Sequence, residues 1–487
     1  MPTRREFLRA MALVAFAPPF LSAREREIWL NDIHSQLNRT RVSSLLRPGT
    51  ELELIDALRS TARKRLPLSV SGSRHSMGGQ QFLSNGACID LRSMAQVRRF
   101  DHERGLIEAD AGIQWPQLIR TYLDRQQNLS QQWGIAQKQT GADTFTLGGS
   151  LASNIHGRGL AMKPLISNVE SFVLLGPAGH KLRCSRTENS ELFRLAIGGY
   201  GLFGVISSVT LQLVPRRKLR RVVEIVDRQD LTKRFQERIA DGYLYGDFQY
   251  SIDERSTDFL RKGVFSCYQP IGDEAAIVAE KRLSNEDWLG LLQLAYTDRA
   301  RAFDRYARYY LSTNNQTYWS DTNQLSAYLP NYAKKLRERI GGSESSLVIT
   351  EIYVPRPSLA DFLEQAAALL QSTSVLVIYG TVRLIQKDEE SFLAWARDDY
   401  ACVIFNLLTI HTPAGMDASQ RAFRGLIDLA IARKGSYYLT YHRFATREQV
   451  TACYPQFEKF LALKRQHDPE ERFQSDWYRH YRQMFAA

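Results

Sequence analysis

Apolar residues in the first half of the chain fall into short runs separated by amphipathic stretches, which predicts alternating strands and helices. From residue 43 to 70 the order is a short strand, a helix and a second strand, the last being LPLSV at 66–70. Pro48-Gly49-Thr50 opens the helix, Thr50 and Glu53 stand at capping-box spacing, and Leu54, Ile55 and Leu58 share one face. Strand-like runs follow at 87–91 and 105–112, then a helix around 115–123. Beyond residue 222 the pattern changes character. Strand-like runs at 346–354, 375–384, 402–410 and 437–441 alternate with amphipathic helices near 359–370 and 420–432, and Gly341-Gly342-Ser343 reads as a loop. The chain is predicted to be α+β, its later half an antiparallel sheet covered by helices.

Composition narrows the class. With 487 residues, 44% hydrophobic and 24% charged, the chain has material for two domains and a large core. A net charge of +12 raises nucleic acid as a partner, but the basic residues are scattered. The densest cluster, RRKLRR at 216–221, is short and reads as a solvated linker, so no nucleic-acid partner is expected. Five widely spaced cysteines fit neither a disulfide scaffold nor a metal-ligand pattern, so free, mostly buried thiols and no metal are expected. At the N-terminus, Arg4-Arg5 precede Phe7, Leu8 and a short apolar run ending at Ala23. Residues 1–23 have the form of a twin-arginine export signal, which implies the twin-arginine (Tat) export machinery as a partner and a periplasmic location; an ordinary amphipathic helix is the alternative. No segment approaches the roughly 18 consecutive apolar residues of a spanning helix, so no stable membrane span is expected.

The most informative stretch is SGSRHSMGG at 71–79, directly after a predicted strand. Glycine and small hydroxyl residues let successive backbone amides converge on an anion such as a diphosphate. The histidine within it, His75, adds little to diphosphate binding but offers a nucleophilic nitrogen; a solvated loop histidine is the alternative. Gly199-Tyr200-Gly201-Leu202-Phe203-Gly204 satisfies G-x-G-x-x-G, but in reversed context, with helical ENSELFRLAI before it and strand-like VISSVTLQLV after it. A Rossmann site is therefore rejected.

The loop at 71–79, TLGGSLASNIHGRG at 146–159 and GGYGLFGVISSVTLQLVP at 198–215 together resemble the FAD domain of the vanillyl-alcohol oxidase superfamily, of the PCMH type. Within it the chain is most similar in look to aldonolactone and alditol oxidases and to decaprenylphosphoryl-ribose oxidase. The resemblance covers about 43–215 and resumes at 468–478, DPEERFQSDWY. It implies a two-subdomain FAD-binding domain at 24–215, a substrate (cap) domain at 222–440 and a C-terminal segment, 441–487, returning to the FAD domain. It also implies FAD contacts from Ser71, Gly72, Ser73, Arg74, His75, Ser76, Gly141, Thr146, Leu147, Gly148, Gly149, Ser153, Asn154, His156, Gly157, Gly204, Val205 and Ile206. In many relatives a histidine at the position of His75 bonds the flavin 8α-methyl, so FAD covalent through His75 is expected. Bicovalent relatives have a cysteine where this chain has Thr144, so one bond is the most it offers.

Flavin oxidation of an alcohol needs a carbon held against N5, a group to take the hydroxyl proton, and donors for the charge on the reduced ring. Glu351 stands among apolar residues in LVITEIYVP, and a carboxylate there must be paired or face a polar cavity. Related oxidases place a glutamate at the substrate in a similar setting, and Arg383 on the next predicted strand would complete a polar pair over the flavin. A structural salt bridge is the alternative. Tyr438 matches a tyrosine near the flavin in decaprenylphosphoryl-ribose oxidase, and Tyr441 stands where relatives have lysine. A phenol replaces a fixed charge there, with His442 or Arg443 as candidates to compensate. His156 reads as a structural histidine or a base, and His411 as a strand-end residue. The resemblance implies oxidation of a sugar, polyol or sugar lactone, with O2 or another acceptor reoxidising the flavin. The alternatives are a dehydrogenase of a lipid-linked or envelope glycan sugar and a non-catalytic flavin-binding electron carrier.

Overall fold

The computed structural model describes residues 27–278, 281–326, 329, 331–373 and 375–486. The expected export signal at 1–23 lies outside the described residues. Strands Ser44–Leu46, Ala87–Asp90 and Leu68–Ser71 form a parallel sheet in that spatial order. Helix Glu51–Arg63 joins the outer two and buries Leu54, Ile55 and Leu58. Thr50 accepts the Glu53 amide, but the Glu53 carboxylate reaches the Gly49 amide at 2.8 Å, one residue beyond the reciprocal position, so half of the expected capping box forms. The 71–79 loop leaves the carboxyl end of Leu68–Ser71, the end of a parallel sheet at which ligands bind.

A second sheet is antiparallel, in the order Lys181–Ser185, Val169–Leu175, Val205–Gln212, Leu106–Asp110, Val97–Asp101. Helix Ser190–Ala196 precedes strand Val205–Gln212, so the G-x-G-x-x-G glycines connect helix to strand, as the rejected Rossmann site required. The chain end comes back to this part: Phe473 pairs with Leu68 and shares its core, and Asp476 takes the Ser84 amide and hydroxyl, each at 2.9 Å.

The largest sheet has eight antiparallel strands, in the order Thr317–Trp319, Lys218–Asp227, Lys262–Ile271, Tyr245–Tyr250, Val377–Ile385, Tyr400–Ile410, Ser345–Pro355, Ser436–Tyr437. Helices Leu359–Gln371 and Pro413–Ile431 pack on one face through Phe362, Leu363, Phe423 and Leu426. Between Lys262–Ile271 and Ser345–Pro355 the chain inserts helices Asn285–Thr297, Arg299–Ser312 and Tyr332–Ile340, which the hydrophobic pattern did not single out.

The structure corrects three expectations. The 216–221 cluster is not a solvated linker, because the sheet begins at Lys218 and Arg221 is buried. Its guanidinium donates to the Tyr268 and Thr313 hydroxyls and lies over the rings of Tyr268, Tyr310 and Tyr318, partners that make a buried arginine tolerable. The run at 437–441 is strand only at Ser436–Tyr437 and then turns, so strand alternation does not govern Tyr441 and His442. Ser345–Pro355 and Val377–Ile385 are not adjacent either, since Tyr400–Ile410 lies between them. All five cysteines are free and buried, and among the described residues no helix is long and apolar enough to cross a membrane.

Candidate active site

A cleft of about 1,340 Å³ of atom-free space, counting its open mouth, runs between the two smaller sheets and the large one. Of the expected contacts, Ser71, Gly72, Ser73, Arg74, His75, Ser76, Gly141, Thr146, Gly148, Gly149, Ser153, Gly204 and Ile206 line it. A Cβ on Gly72 would stand 2.0 Å from Thr146 Oγ1, so a side chain there would push apart the two loops that form the wall. Arg74 holds the loop in the left-handed region, φ 62°. Among the described residues no protein acceptor takes the backbone amides of Ser73, Arg74 or Ser76. Arg74 Nε and Gln81 Oε1, both in the wall, are also buried without a partner. Unsatisfied polar groups around a cleft call for a polar ligand.

His75 sits at one end of this wall. Its Nδ1 is 2.7 Å from His34 Nε2, its Nε2 is 2.9 Å from Thr144 Oγ1, and its ring stands 4.1 Å from that of Phe145. Burial, reinforced by His34, holds its pKa well below the usual histidine range. The neutral form retains a nucleophilic lone pair.

Five expected contacts do not line the cleft. Leu147 and Val205 are core residues, and the Gly157 amide donates to Gln137 Oε1 at 3.0 Å. Asn154, left-handed at φ 47°, donates to Asp388 at 2.9 Å and accepts the Ile166 amide, tying the motif to the large sheet's loops. His156 turns away from the cleft to Glu351.

Glu351 is fully buried and collects donors. His156 Nε2 contacts Oε1 closely, Cys402 Sγ and the Tyr353 hydroxyl reach the same oxygen at 2.8 and 3.2 Å, and the Tyr441 hydroxyl donates to Oε2 at 2.8 Å. Burial alone would raise the Glu351 pKa. The His156 charge and these hydrogen bonds outweigh it and hold the carboxyl well below the usual range. His156 Nδ1 lies 3.0 Å from the Gly157 carbonyl, which only accepts, so that nitrogen carries a proton. With three further donors on the carboxylate, the consistent state is imidazolium beside carboxylate. His156, Glu351 and Cys402 are close enough to hold a metal, but their donor atoms face one another in hydrogen bonds that already account for the grouping.

Arg383 and Glu351 do not pair. The intervening strand puts Cys402 beside Arg383 on one side and beside Tyr353 on the other. Arg383 donates instead to Gln139 Oε1, a cleft residue, at 2.8 Å; its Nε has no partner, and among the described residues no carboxylate lies within ion-pair distance. It is a buried cation beside the cleft residue Gln139. Tyr438 and Tyr441 both line the cleft, and Tyr438 donates to the Ser153 carbonyl at 2.5 Å. Neither neighbour compensates for the phenol at 441. His442 stacks on Phe444 and is held neutral, near a pKa of about 3, by burial and then by the charges of Arg443 and His480, while Arg443 donates to the Asp476 carbonyl. His411 bonds Ser346, just past its strand.

Sequence reasoning missed His34, Gln139 and Cys402. No motif marks His34 or Gln139. Alternation along Tyr400–Ile410 sets Cys402 on the face opposite the covering helices, a signal legible only once the strand order is known.

The FAD binding domain family model matches residues 42–185. The chain is 36% identical over 169 residues to an uncharacterized oxidoreductase, ORF5 in the fasciation locus of Rhodococcoides fascians, covering 34% of this chain and 36% of that protein. It is 24% identical over 439 residues to the L-gulono-1,4-lactone dehydrogenase of Mycobacterium tuberculosis, covering 90% of this chain and 95% of that one. It is 27% identical over 223 residues to the mitochondrial L-galactono-1,4-lactone dehydrogenase of Arabidopsis thaliana, covering 44% and 35%. A cleft walled by unsatisfied amides beneath a glycine turn, inside the matched segment, fits a dinucleotide flavin. The matched segment is an FAD binding domain, and the chain resembles the flavoproteins of the vanillyl-alcohol oxidase (PCMH-type) superfamily. Within it the resemblance is to the aldonolactone enzymes, and the protein is an FAD-dependent oxidoreductase.

Proposed function

We propose that this protein oxidises an alcohol carbon of a sugar, polyol or sugar lactone and passes the electrons to O2 or another acceptor. The observation that carries this reading is the pair of polar groups that reach the cleft from the large sheet's side: Tyr441, which lines it and donates to Glu351, and Arg383, which donates to the cleft residue Gln139. The names of the two lactone dehydrogenases support the same substrate class. Bound FAD would supply the hydride acceptor. Ser73, Arg74 and Ser76 would hold its diphosphate through their amides, and Arg383 would meet a substrate hydroxyl or oxyanion. Tyr441 would accept the hydroxyl hydrogen bond and orient the alcohol. His75, neutral and in the wall, would bond the flavin 8α-methyl, and Arg4-Arg5 would direct export to the periplasm.

A panel of aldonolactones, alditols, sugars and lipid-linked sugars, scored by anaerobic bleaching of the flavin, tests the reading. Bleaching by a free lactone or polyol is expected. Bleaching by lipid-linked sugars alone would move the assignment to an envelope glycan, and a flavin that no alcohol bleaches would leave an electron carrier.

A further inference from the structure

We infer that the large sheet carries a second polar subsite, formed by Asp247, Gln249 and Arg158 beside the exposed ring of Tyr379, which holds substrate hydroxyls remote from the reacting carbon. This rests on the alcohol reading above and narrows the substrate to a molecule that is rich in hydroxyls beyond the oxidised one. Sheet register puts the groups on one face. Phe248 pairs with Val382, and both are buried in the main core. Alternation therefore turns Asp247, Gln249, Thr381 and Arg383 to the opposite face. Ser266 lies directly across from Asp247, and Glu351 joins the same face through Ile404 and Thr381. The face that carries Glu351 and Arg383 thus continues to Asp247 and Gln249, one strand beyond Arg383.

Tyr379 leaves this face open. It lies on a central strand, between Tyr245–Tyr250 and Tyr400–Ile410, yet 39% of its surface is exposed. Its surroundings are nonetheless dense: burial raises the phenol pKa, Tyr310 and Asp247 add to the rise, and Arg383 and Arg158 oppose it. A ring that is exposed and surrounded at once lines an enclosed space.

The polar groups beside it have bonds left to make. Among the described residues, Gln249 Oε1, Ser266 Oγ, Asn323 Nδ2 and the Nε atoms of Arg158 and Arg383 are buried without a partner. Gln249 and Ser266 are only 9% and 2% exposed, so bulk water does not complete them. Their neighbours are already committed. Gln249 Nε2 donates to Asp247 Oδ2 at 3.0 Å, and Arg158 donates to the Tyr268 hydroxyl at 3.1 Å and the Asn323 carbonyl at 2.6 Å, standing 3.7 Å from Asp247. The open positions are thus an acceptor, a hydroxyl and three donors on one face, and buried groups of this kind call for a partner. Hydroxyls both donate and accept, so the neighbouring hydroxyls of a sugar or polyol match the set. An anionic group would suit the arginines but confront Asp247 and Gln249 Oε1, and an apolar tail would satisfy none of them. The Tyr379 ring offers the carbon face of the same ligand an apolar surface.

The test measures binding by calorimetry to the FAD-loaded protein, photoreduced under argon so that no alcohol can be oxidised. The probes are D-glucitol and hexane-1,2-diol, chains of equal length that share the first two hydroxyls and differ in those beyond. Glucitol should bind at least about tenfold more tightly, and Gln249→Met should bring the two within about threefold by weakening glucitol alone. Tyr379→Ala, a change at an exposed ring, should shift the ratio the same way and keeps the proposal falsifiable if Gln249→Met does not fold. Equal affinities in the wild type, no measurable binding of glucitol, or an unchanged ratio in every variant that folds would each overturn the subsite. Because binding is read without turnover, a protein that passes here yet is bleached by no alcohol sinks the alcohol reading alone. One that alcohols bleach but that shows no preference here sinks the subsite alone.

Discussion

Two buried histidines, His75 and His156, start from the same reference chemistry and end in opposite charge states. His75 bonds the imidazole of His34 and the hydroxyl of Thr144 and packs on the ring of Phe145, and burial keeps it uncharged. His156 faces a carboxylate on one side and a carbonyl on the other, so both ring nitrogens must donate. The partner, more than the burial, selects the role: a lone pair is kept for bonding in one case, and a cation is held against a carboxylate in the other.

The comparison breaks most completely at His75. Under the covalent reading the wild-type flavin stays with the polypeptide through acid precipitation and denaturing electrophoresis, and His75→Ala retains none. The amides of Ser73, Arg74 and Ser76 should still bind FAD reversibly in the variant. Wild-type protein that releases all its flavin on denaturation would leave His75 a packing residue beside His34.

At the other histidine the effect is on stability. Glu351→Ala strands the His156 imidazolium and removes the acceptor of Tyr441 and Cys402, and breaking a buried pair in this way costs about 3–5 kcal/mol. Denaturant unfolding measures it. Removing both partners should cost less than the two single losses combined, because no uncompensated charge remains; simple additivity would mean that the two side chains are not an ion pair.

Much of this site was legible before the fold was known. The small-residue loops at 71–79 and 146–159 announce themselves through local backbone demands, and Glu351 stands out as a charge inside an apolar strand. What stayed hidden was non-local. His156 and Glu351 are 195 residues apart in sequence, and no spacing rule joins them. Sheet order put Tyr400–Ile410 between the strands of Glu351 and Arg383, which turned an expected ion pair into two separate devices. Arg221 looked solvated because a run of arginines gives no sign of the tyrosines, on three other elements, that receive it.

Acid sharpens the contrast from the neutral side. Burial lowers His34 to about 4 and His442 to about 3, against the ordinary histidine value of 6.5. Between those values and 6.5 the unfolded chain binds protons that the folded one refuses, so stability rises with pH through this window and is lost as pH falls. From pH 7 to pH 5 each group should remove about 2 kcal/mol. Denaturant midpoints at the two pH values test the sign. A protein more stable at pH 5 would mean that these histidines are charged in the fold.

The smallest change separates structure from substrate chemistry. Tyr441→Phe keeps the ring and removes one of four donors to Glu351, and the three that remain should hold the loss to about 1 kcal/mol. Its effect on chemistry should be larger, because the phenol is the link between the cleft and the carboxylate. Flavin bleaching by an alcohol should slow, because the hydroxyl that orients the substrate is gone. Unchanged bleaching would leave Tyr441 a spacer.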